Sequence, residues 1–327
     1  MKEPKMHRRA LVGAGAAAVC IGIQSTAWAQ GFPASSFGPL ATADEVLAGI
    51  DLSGLTAVVT GCNSGIGFQT MRSLANAGAH VIGTARTREK GVAACNLVDG
   101  LTTPVELELS DFESVVACAR NVASVSEEVD ILICNAGAIF PGLQHSNGLE
   151  KHFVVNHLGH FLLTNLLMSQ VLAAPQGRVV VVGSNIHKQA PVGGIQFDDL
   201  AGESWDYRYH HSKLANGLFS LHLAHLLRGS NATSNCAHPG GVRGTNILRN
   251  VSASSESYPK TPSQGAATQC YLAAHPDLVG VSGEYFADCR PAEQSAHQSD
   301  VDMAQRLWKV SEELTADYLP KPVLGIA

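Results

Sequence analysis

From Asp51 onward the chain alternates without interruption between short apolar runs and stretches of helical periodicity, and this pattern limits the fold more than any other feature. The runs are Thr56–Thr60, His80–Thr84, Thr103–Leu109, Ile131–Cys134, Arg178–Gly183 and Thr233–Ala237. Continuous apolar runs of this length suit strands buried on both faces. Between them lie helical stretches over Gly67–Asn76, Phe112–Ser124, Phe153–Leu172 and Tyr209–Leu227. Strands alternating with helices predict an α/β fold, a doubly wound parallel sheet with helices on both faces joined by right-handed crossovers. No Pro/Gly-rich break parts residues 51–327, so one domain is expected there. The 45% hydrophobic and 15% charged residues supply a core for it.

The first 50 residues read differently. Lys2, Lys5, Arg8 and Arg9 precede an apolar Ala/Gly-rich run from Ala10 to Ile23, and Ala27-Trp28-Ala29 has the form of a cleavage site. These are the three parts of an export signal over residues 1–29, and the run is shorter than the ~20 residues of a membrane span. The Arg8-Arg9 pair fits twin-arginine export, which predicts a periplasmic protein with no stable span in its mature form. An uncleaved membrane anchor and a cytoplasmic protein with a mis-assigned start are the alternatives. Residues 30–50, rich in Gly, Pro and Ser in their first half, are expected to be a linker ending in a short helix.

The net charge of -6 offers no basic face for nucleic acid. The eight cysteines include no C-x-x-C pair, and one lies in the signal, so small buried thiols are expected rather than disulfides or zinc. His157/His160 and His222/His225 are spaced i, i+3, but no carboxylate accompanies either pair. They read as ordinary helix positions, and no metal is expected. Asn231-Ala232-Thr233 and Asn250-Val251-Ser252 are glycosylation sequons that matter only in a eukaryotic secretory context.

The first strand runs into Thr60-Gly61-Cys62-Asn63-Ser64-Gly65-Ile66-Gly67 and then a helix. Glycines in that setting permit a tight turn and let backbone approach a pyrophosphate, while the helix N-terminus offers unpaired N–H groups. The second strand ends in Thr84-Ala85-Arg86, without the acid that would accept hydrogen bonds from an NAD ribose. Arg86 instead suits a 2′-phosphate, so NADP is the expected cofactor and NAD the alternative. Tyr209 and Lys213 form Y-x3-K, which places both on one helix face. A phenol near pKa 10 needs a neighbouring cation to act as an acid or base at neutral pH. Tyr207 lacks this partner, because His211 stands four residues on.

Taken in order with Asn156, Ser184, Pro239-Gly240 and Cys134-Asn135-Ala136-Gly137, these residues make the chain resemble the classical short-chain dehydrogenase/reductase family. Gly194–Leu200, Ser212–Asn216, Gly283–Phe286 and Arg306–Trp308 are similar to its retinol-dehydrogenase and WW-domain-oxidoreductase branch, and the likeness extends over about residues 45–315. The resemblance implies a seven-stranded Rossmann sheet and a catalytic tetrad of Asn156, Ser184, Tyr209 and Lys213. Ser184 would steady the substrate oxygen, Lys213 would also hold the nicotinamide ribose, and Asn156 would hold a water linking the lysine to solvent. It further implies cofactor contacts from Gly61, Asn63, Ser64, Gly65, Ile66, Gly67, Arg86, Glu108, Leu109, Asn135, Ala136, Gly137, Pro239, Gly240 and Thr245. Two positions depart from the family pattern: Cys134 replaces an Asn, and Glu108 an Asp. Residues Asn246–Thr261 are expected to form the substrate lid. The expected function is hydride transfer between NADP(H) and an alcohol, aldehyde or ketone of apolar character. The rival reading is a nucleotide-binding redox sensor that has lost catalysis; monomer and homo-oligomer are both open.

Overall fold

A computed structural model describes residues 35–248 and 258–320. The chain enters through helix α1 (Ala43–Val46), closed by a capping box between Thr42 and Glu45. Strand β1 (Thr56–Val59) leads through the glycine loop into α2 (Gly65–Asn76), and β2 (His80–Ala85) leads into α3 (Arg88–Cys95). Then come β3 (Thr102–Glu106), α4 (Phe112–Val125), β4 (Ile131–Cys134) and a small hairpin of β5 (His145–Ser146) and β6 (Leu149–Glu150). A helical stretch follows, made of α5 (Lys151–Phe153), a π turn (Val154–Leu158), α6 (Gly159–Leu166) and α7 (Met168–Ala173). Strand β7 (Arg178–Val182), α8 (Arg208–Leu226), β8 (Thr233–His238), α9 (Pro262–Ala274), β9 (Tyr285–Ala287), β10 (Arg290–Pro291) and α10 (Val301–Leu314) complete it.

Apart from the β5–β6 hairpin, the strands form one sheet in the order β10-β9-β8-β7-β4-β1-β2-β3. Every pairing within this sheet is parallel except β9 with β10. This is the expected doubly wound Rossmann architecture, with one correction: the sheet has eight strands rather than seven, because the chain turns at Asp288-Cys289 and adds a two-residue edge. Side-chain alternation explains the layers. Val58, Leu132, Val179 and Val181 face a core shared with α4, α6, α8 and α10. Ala57, Val59, Ile131, Ile133, Val180 and Val182 face the opposite core, shared with α1, α2 and α9. The strand order reverses between β1 and β4, and in open α/β sheets the ligand crevice lies at such a switch point, outside the carboxyl ends of the strands.

Three expectations change in detail. Strand β3 stops at Glu106 rather than Leu109, and Glu108 begins the turn that Asp111 closes by capping α4. The helix expected over Phe153–Leu172 is broken by the π turn and again at Leu167. Residues 35–50 contain the expected short helix, but they pack on the domain instead of hanging free: Phe37 meets Tyr271 edge-on at 5.7 Å, and Asp44 pairs with Arg72 at 2.7 Å. The proposed signal over residues 1–29 and most of the expected lid lie outside the described residues. No helix among the described residues is long and apolar enough to cross a membrane.

Candidate active site

The crevice has a wall made of backbone. Gly61 and Gly65 have φ of +74° and +61°, a region that side chains resist. A Cβ on Gly67 would lie 2.5 Å from Asn135 Nδ2 and inside the Gly61 carbonyl, so α2 meets β1 only if this residue is glycine. Ser64 is the N-cap of α2, yet its side chain makes no capping bond and instead accepts from Asn246 Nδ2 at 2.7 Å. The first turn holds no acidic residue. The N–H groups at the start of α2 are thus left to an anion, as a nucleotide phosphate requires. Thr245 lies against Gly65, with contact distances from 3.4 Å to a Cβ placed there. Arg86 is exposed just past β2, and it has no ion-pair partner among the described residues.

Beyond β3 the arrangement is less open. Glu108 accepts hydrogen bonds from Ser110 N–H at 3.0 Å and Ser110 O–H at 2.7 Å, so its carboxylate serves the local turn. Leu109 is buried, and a Cβ on Gly159 would sit 2.9 Å from its side chain, so Leu109 packs against α6.

The opposite wall is made of polar side chains. Tyr209 and Lys213 lie on one face of α8, with Lys213 Nζ 5.8 Å from the tyrosine ring centre. Lys213 is buried and donates to the Val182 carbonyl at 2.9 Å, which Asn216 Nδ2 also reaches at 3.1 Å. Burial pushes the lysine pKa down to about 8. Burial likewise raises the Tyr209 phenol above its ordinary value, with Tyr258 adding to the effect. Ser184, two residues past the end of β7, caps the turn at Asn185–Gln189 and accepts the Ile186 N–H at 3.3 Å, which leaves its own proton available to donate. Asn156 sits in the π turn, a distortion often found at functional sites. Its amide accepts from Ala138 N–H at 2.8 Å and donates to Ala138 O at 3.1 Å and Ser212 Oγ at 3.0 Å.

Gly137 joins these parts. A Cβ there would be 3.5 Å from Asn156 Oδ1 and 3.6 Å from Lys213 Nζ, so the loop after β4 passes directly over both. Asn135 anchors that loop to β1 by donating from Nδ2 to Thr60 O at 2.7 Å. In the position where the family has another Asn, the Cys134 thiol lies 3.5 Å from the Thr164 hydroxyl. Pro239-Gly240 follows β8, and Gly240, with φ of +84°, lies under the buried side chain of Lys260. Lys260 in turn pairs with Asp288 at 2.5 Å. The histidine pairs do not converge on a common point: His157 meets Ser311 at 2.8 Å and His160 meets Thr60 at 2.9 Å, while His222 and His225 stack at 5.9 Å. The cysteines at 62, 95, 118, 134, 236, 270 and 289 are all unpaired and buried.

Several residues of the site carry no sequence motif. His187 donates from Nδ1 to Ser184 O at 2.6 Å and accepts Ser295 N–H at 3.1 Å. Glu150 and His152 form a buried pair at 2.6 Å, and the His152 ring lies 6.1 Å from that of Tyr209. The only available signal was the density of histidines in residues 145–238.

A doubly wound sheet with a glycine loop at its switch point and Asn, Ser, Tyr and Lys gathered across from it defines a nicotinamide-nucleotide oxidoreductase site. Residues 55–256 match the short chain dehydrogenase family, and the chain belongs to it. It is 38% identical over 290 residues to retinol dehydrogenase 14 of Mus musculus, covering 80% of this chain and 86% of that protein. It is 36% identical over 298 residues to the WW domain-containing oxidoreductase of Pongo abelii, covering 85% of this chain and 72% of that one. Among solved structures it superposes with a TM-score of 0.59 on an NAD(P)-dependent gluconate 5-dehydrogenase from Beutenbergia cavernae with bound NADP, at 27% identity over 73% of this chain and 96% of that one. The chain is an oxidoreductase of the retinol-dehydrogenase and WW-domain-oxidoreductase branch.

Proposed function

We propose that this chain interconverts an apolar alcohol and its aldehyde or ketone, with NADP(H) preferred over NAD(H) and with Asn156, Ser184, Tyr209 and Lys213 as its catalytic group. The observation that carries the reading is Lys213 held buried between Val182 O and Gly137, one helical turn from Tyr209 and beside Asn156. NADP(H), when bound, supplies or accepts the hydride. The glycine loop from Gly61 to Gly67, with Asn63, Ser64 and Ile66, holds its phosphates at the start of α2. Asn135, Ala136, Gly137, Pro239, Gly240 and Thr245 border the remaining length of the crevice, with Glu108 and Leu109 at its adenine end. Tyr209 moves a proton at its Oη, to a forming alkoxide or from an alcohol. The Lys213 ammonium favours the phenolate needed for the second direction. Ser184 donates a hydrogen bond to the substrate oxygen and so favours negative charge on it. Asn156 keeps the Ala138 backbone and the α8 helix in register with these groups.

Cofactor preference rests on β2. Its end, Ala85, has no carboxylate to hold ribose hydroxyls, and the exposed Arg86 guanidinium is free for a 2′-phosphate. Arg86→Ala is expected to weaken NADP binding by about 1.5–3 kcal/mol, or roughly 10- to 100-fold, and to change NAD binding little. Titrating both nucleotides against both proteins checks this. Equal affinities in the unmodified protein rule out the preference. A panel of alcohols and carbonyls followed at the nicotinamide absorbance band tests the activity itself. For residues 1–29 the proposal is twin-arginine export, tested by N-terminal sequencing of the periplasmic protein: a start at Gln30 supports it and an intact Met1 in the cytosol refutes it.

A further inference from the structure

We propose that His160 is a positioning residue of this active site: with Thr60 it forms a one-way hydrogen-bond relay from the root of the glycine loop to the backbone of the catalytic tyrosine. The inference rests on the tetrad proposed above, but on bonds outside it.

The relay is fixed by counting donors and acceptors. Thr60 is the last residue before Gly61, and its side-chain oxygen accepts both the Asn135 and the Ala136 N–H at 2.9 Å. Those two bonds use its lone pairs, so its own proton can only be donated, and His160 Nε2 at 2.9 Å is a nearer acceptor for it than the Ile133 carbonyl at 3.4 Å. An acceptor at Nε2 puts the ring proton on Nδ1, which lies 3.1 Å from the Asn156 carbonyl and donates to it. Asn156 Nδ2 donates to Ser212 Oγ at 3.0 Å, and Ser212 donates to the Tyr209 carbonyl at 2.8 Å. Each group therefore donates forward, from Thr60 through His160, Asn156 and Ser212 to Tyr209. The bonds polarise one another from Thr60 to the Asn156 carbonyl and again from the Asn156 amide to Tyr209; between those two segments the link is mechanical, through the Asn156 side chain. All of this is buried: Thr60, Asn156 and Ser212 are fully enclosed, and His160 is 1% exposed.

The position of the ring is as specific as its bonding. His160 follows the π turn and reaches back four residues to the Asn156 carbonyl, steadying the helix where its ladder is irregular. Its neighbour Gly159 lets α6 close on Leu109, where a Cβ would clash with the Leu109 carbonyl. Burial holds the His160 pKa down to about 4, so the ring keeps one proton at neutral pH, as the relay needs. A histidine in this place does what neither an apolar residue nor an amide does: it spans from one carbonyl to one hydroxyl across a rigid ring.

The test uses the full chain with Thr60→Val, Thr60→Ser, His160→Phe and the Thr60→Val/His160→Phe pair. His160→Phe is expected to lower kcat about 10- to 100-fold, because the tetrad loosens, while KM and nucleotide affinity change less than about threefold; Thr60→Val, which also takes the acceptor from the Asn135 and Ala136 N–H groups, is expected to lower kcat at least as far and to weaken nucleotide binding as well. Thr60→Ser keeps the hydroxyl and is expected to restore kcat to within about threefold. The double variant is expected to be no slower than the slower single one, since either substitution breaks the same chain. Folded single variants with kcat within twofold of the unmodified protein, or a double variant whose losses multiply, overturn the proposal. If His160→Phe does not fold, the tautomer of His160 in the unmodified protein decides it. A second readout needs no turnover: the ring 15N resonances should show His160 protonated at Nδ1, with Nε2 shifting in Thr60→Val. A proton on Nε2 overturns the relay whether or not a substrate is found. A Tyr209→Phe protein with full activity refutes the tetrad and leaves that spectroscopic result standing.

Discussion

The two walls of the crevice solve the same problem, holding small groups in place, with different materials. The nucleotide side, from β1 to β3, uses backbone: two glycines at positive φ, a third that lets β1 and α2 touch, and a bare helix N-terminus. The catalytic side, from β4 through α8, uses buried polar side chains: Asn156, Lys213, Asn216, Ser212 and a set of histidines. His80 is the sole histidine among described residues 35–130, whereas His157, His160, His211, His222 and His238 all sit beyond and are held neutral by burial. Backbone amides bind an anion with no titratable group at risk. Buried polar side chains give directional chemistry but cost desolvation free energy unless each is satisfied. Asn216 Oδ1, buried on this side, has no hydrogen-bond partner among the described residues. The difference predicts that chemistry and stability trade against each other on the catalytic side only.

The largest effect should come from separating the two sides. Tyr209→Phe removes the proton-transfer atom and leaves the glycine loop untouched. It is expected to reduce kcat about 10²- to 10⁴-fold, while nucleotide affinity and melting temperature stay close to those of the unmodified protein. Steady-state kinetics and nucleotide titration on one preparation check both halves of this statement. Loss of nucleotide binding in parallel with turnover would show that the walls are not independent.

Next in size is acid lability. The folded pKa of His157 is about 3 and those of His160, His211, His222 and His238 about 4, each pushed down by burial from an ordinary 6.5. Because the folded values are depressed, the unfolded chain takes up protons first as pH falls through 6.5. Stability is therefore fully present above that pH and declines toward 4, by up to about 1.4 kcal/mol per histidine per pH unit. The melting temperature should drop between pH 7 and pH 5. Hydrogen exchange at pH 5.5 should show amides of α6 and α8 losing protection before those of β1 and β2. A flat melting temperature, or loss from β1 first, breaks the comparison.

The same contrast explains what could be read without a structure. The glycine loop, the missing acid at Ala85 and the βα alternation were legible because backbone requirements leave marks in residue type and period. Tyr209 and Lys213 were legible as a helix-spaced pair, but Asn156 and Ser184 joined them only through resemblance, since these members stand far apart: Asn156 and Lys213 meet through Gly137, 19 residues before one and 76 before the other by their numbering. His160 read as an ordinary helix position, because its meaning lies in which atoms it faces across the sheet. The eighth strand escaped notice because two residues, Arg290 and Pro291, are too short to carry a pattern. The break at Leu167 has no Pro or Gly to announce it.

The smallest effect is the most pointed, because it asks whether a catalytic group is a stability liability. Lys213 has a pKa of about 8 in the folded chain against an ordinary 10.5. At pH 7 the ammonium is charged in both states, and the gap corresponds to roughly 3 kcal/mol of destabilisation on folding. Lys213→Met removes the charge at similar length but leaves the Val182 carbonyl with Asn216 alone, so a net gain of roughly 1–3 kcal/mol is expected. The sign can be checked by pH. Between 8 and 10.5 the unfolded chain binds more protons than the folded one, so the unmodified protein gains stability as pH rises. The advantage of Lys213→Met should therefore shrink across that window. Denaturant unfolding of both proteins at pH 7 and pH 10 measures it, with turnover lost in the variant at each pH. A variant that is less stable at pH 7, or whose advantage grows with pH, would show that the buried ammonium is fully compensated and that the catalytic wall carries no such cost.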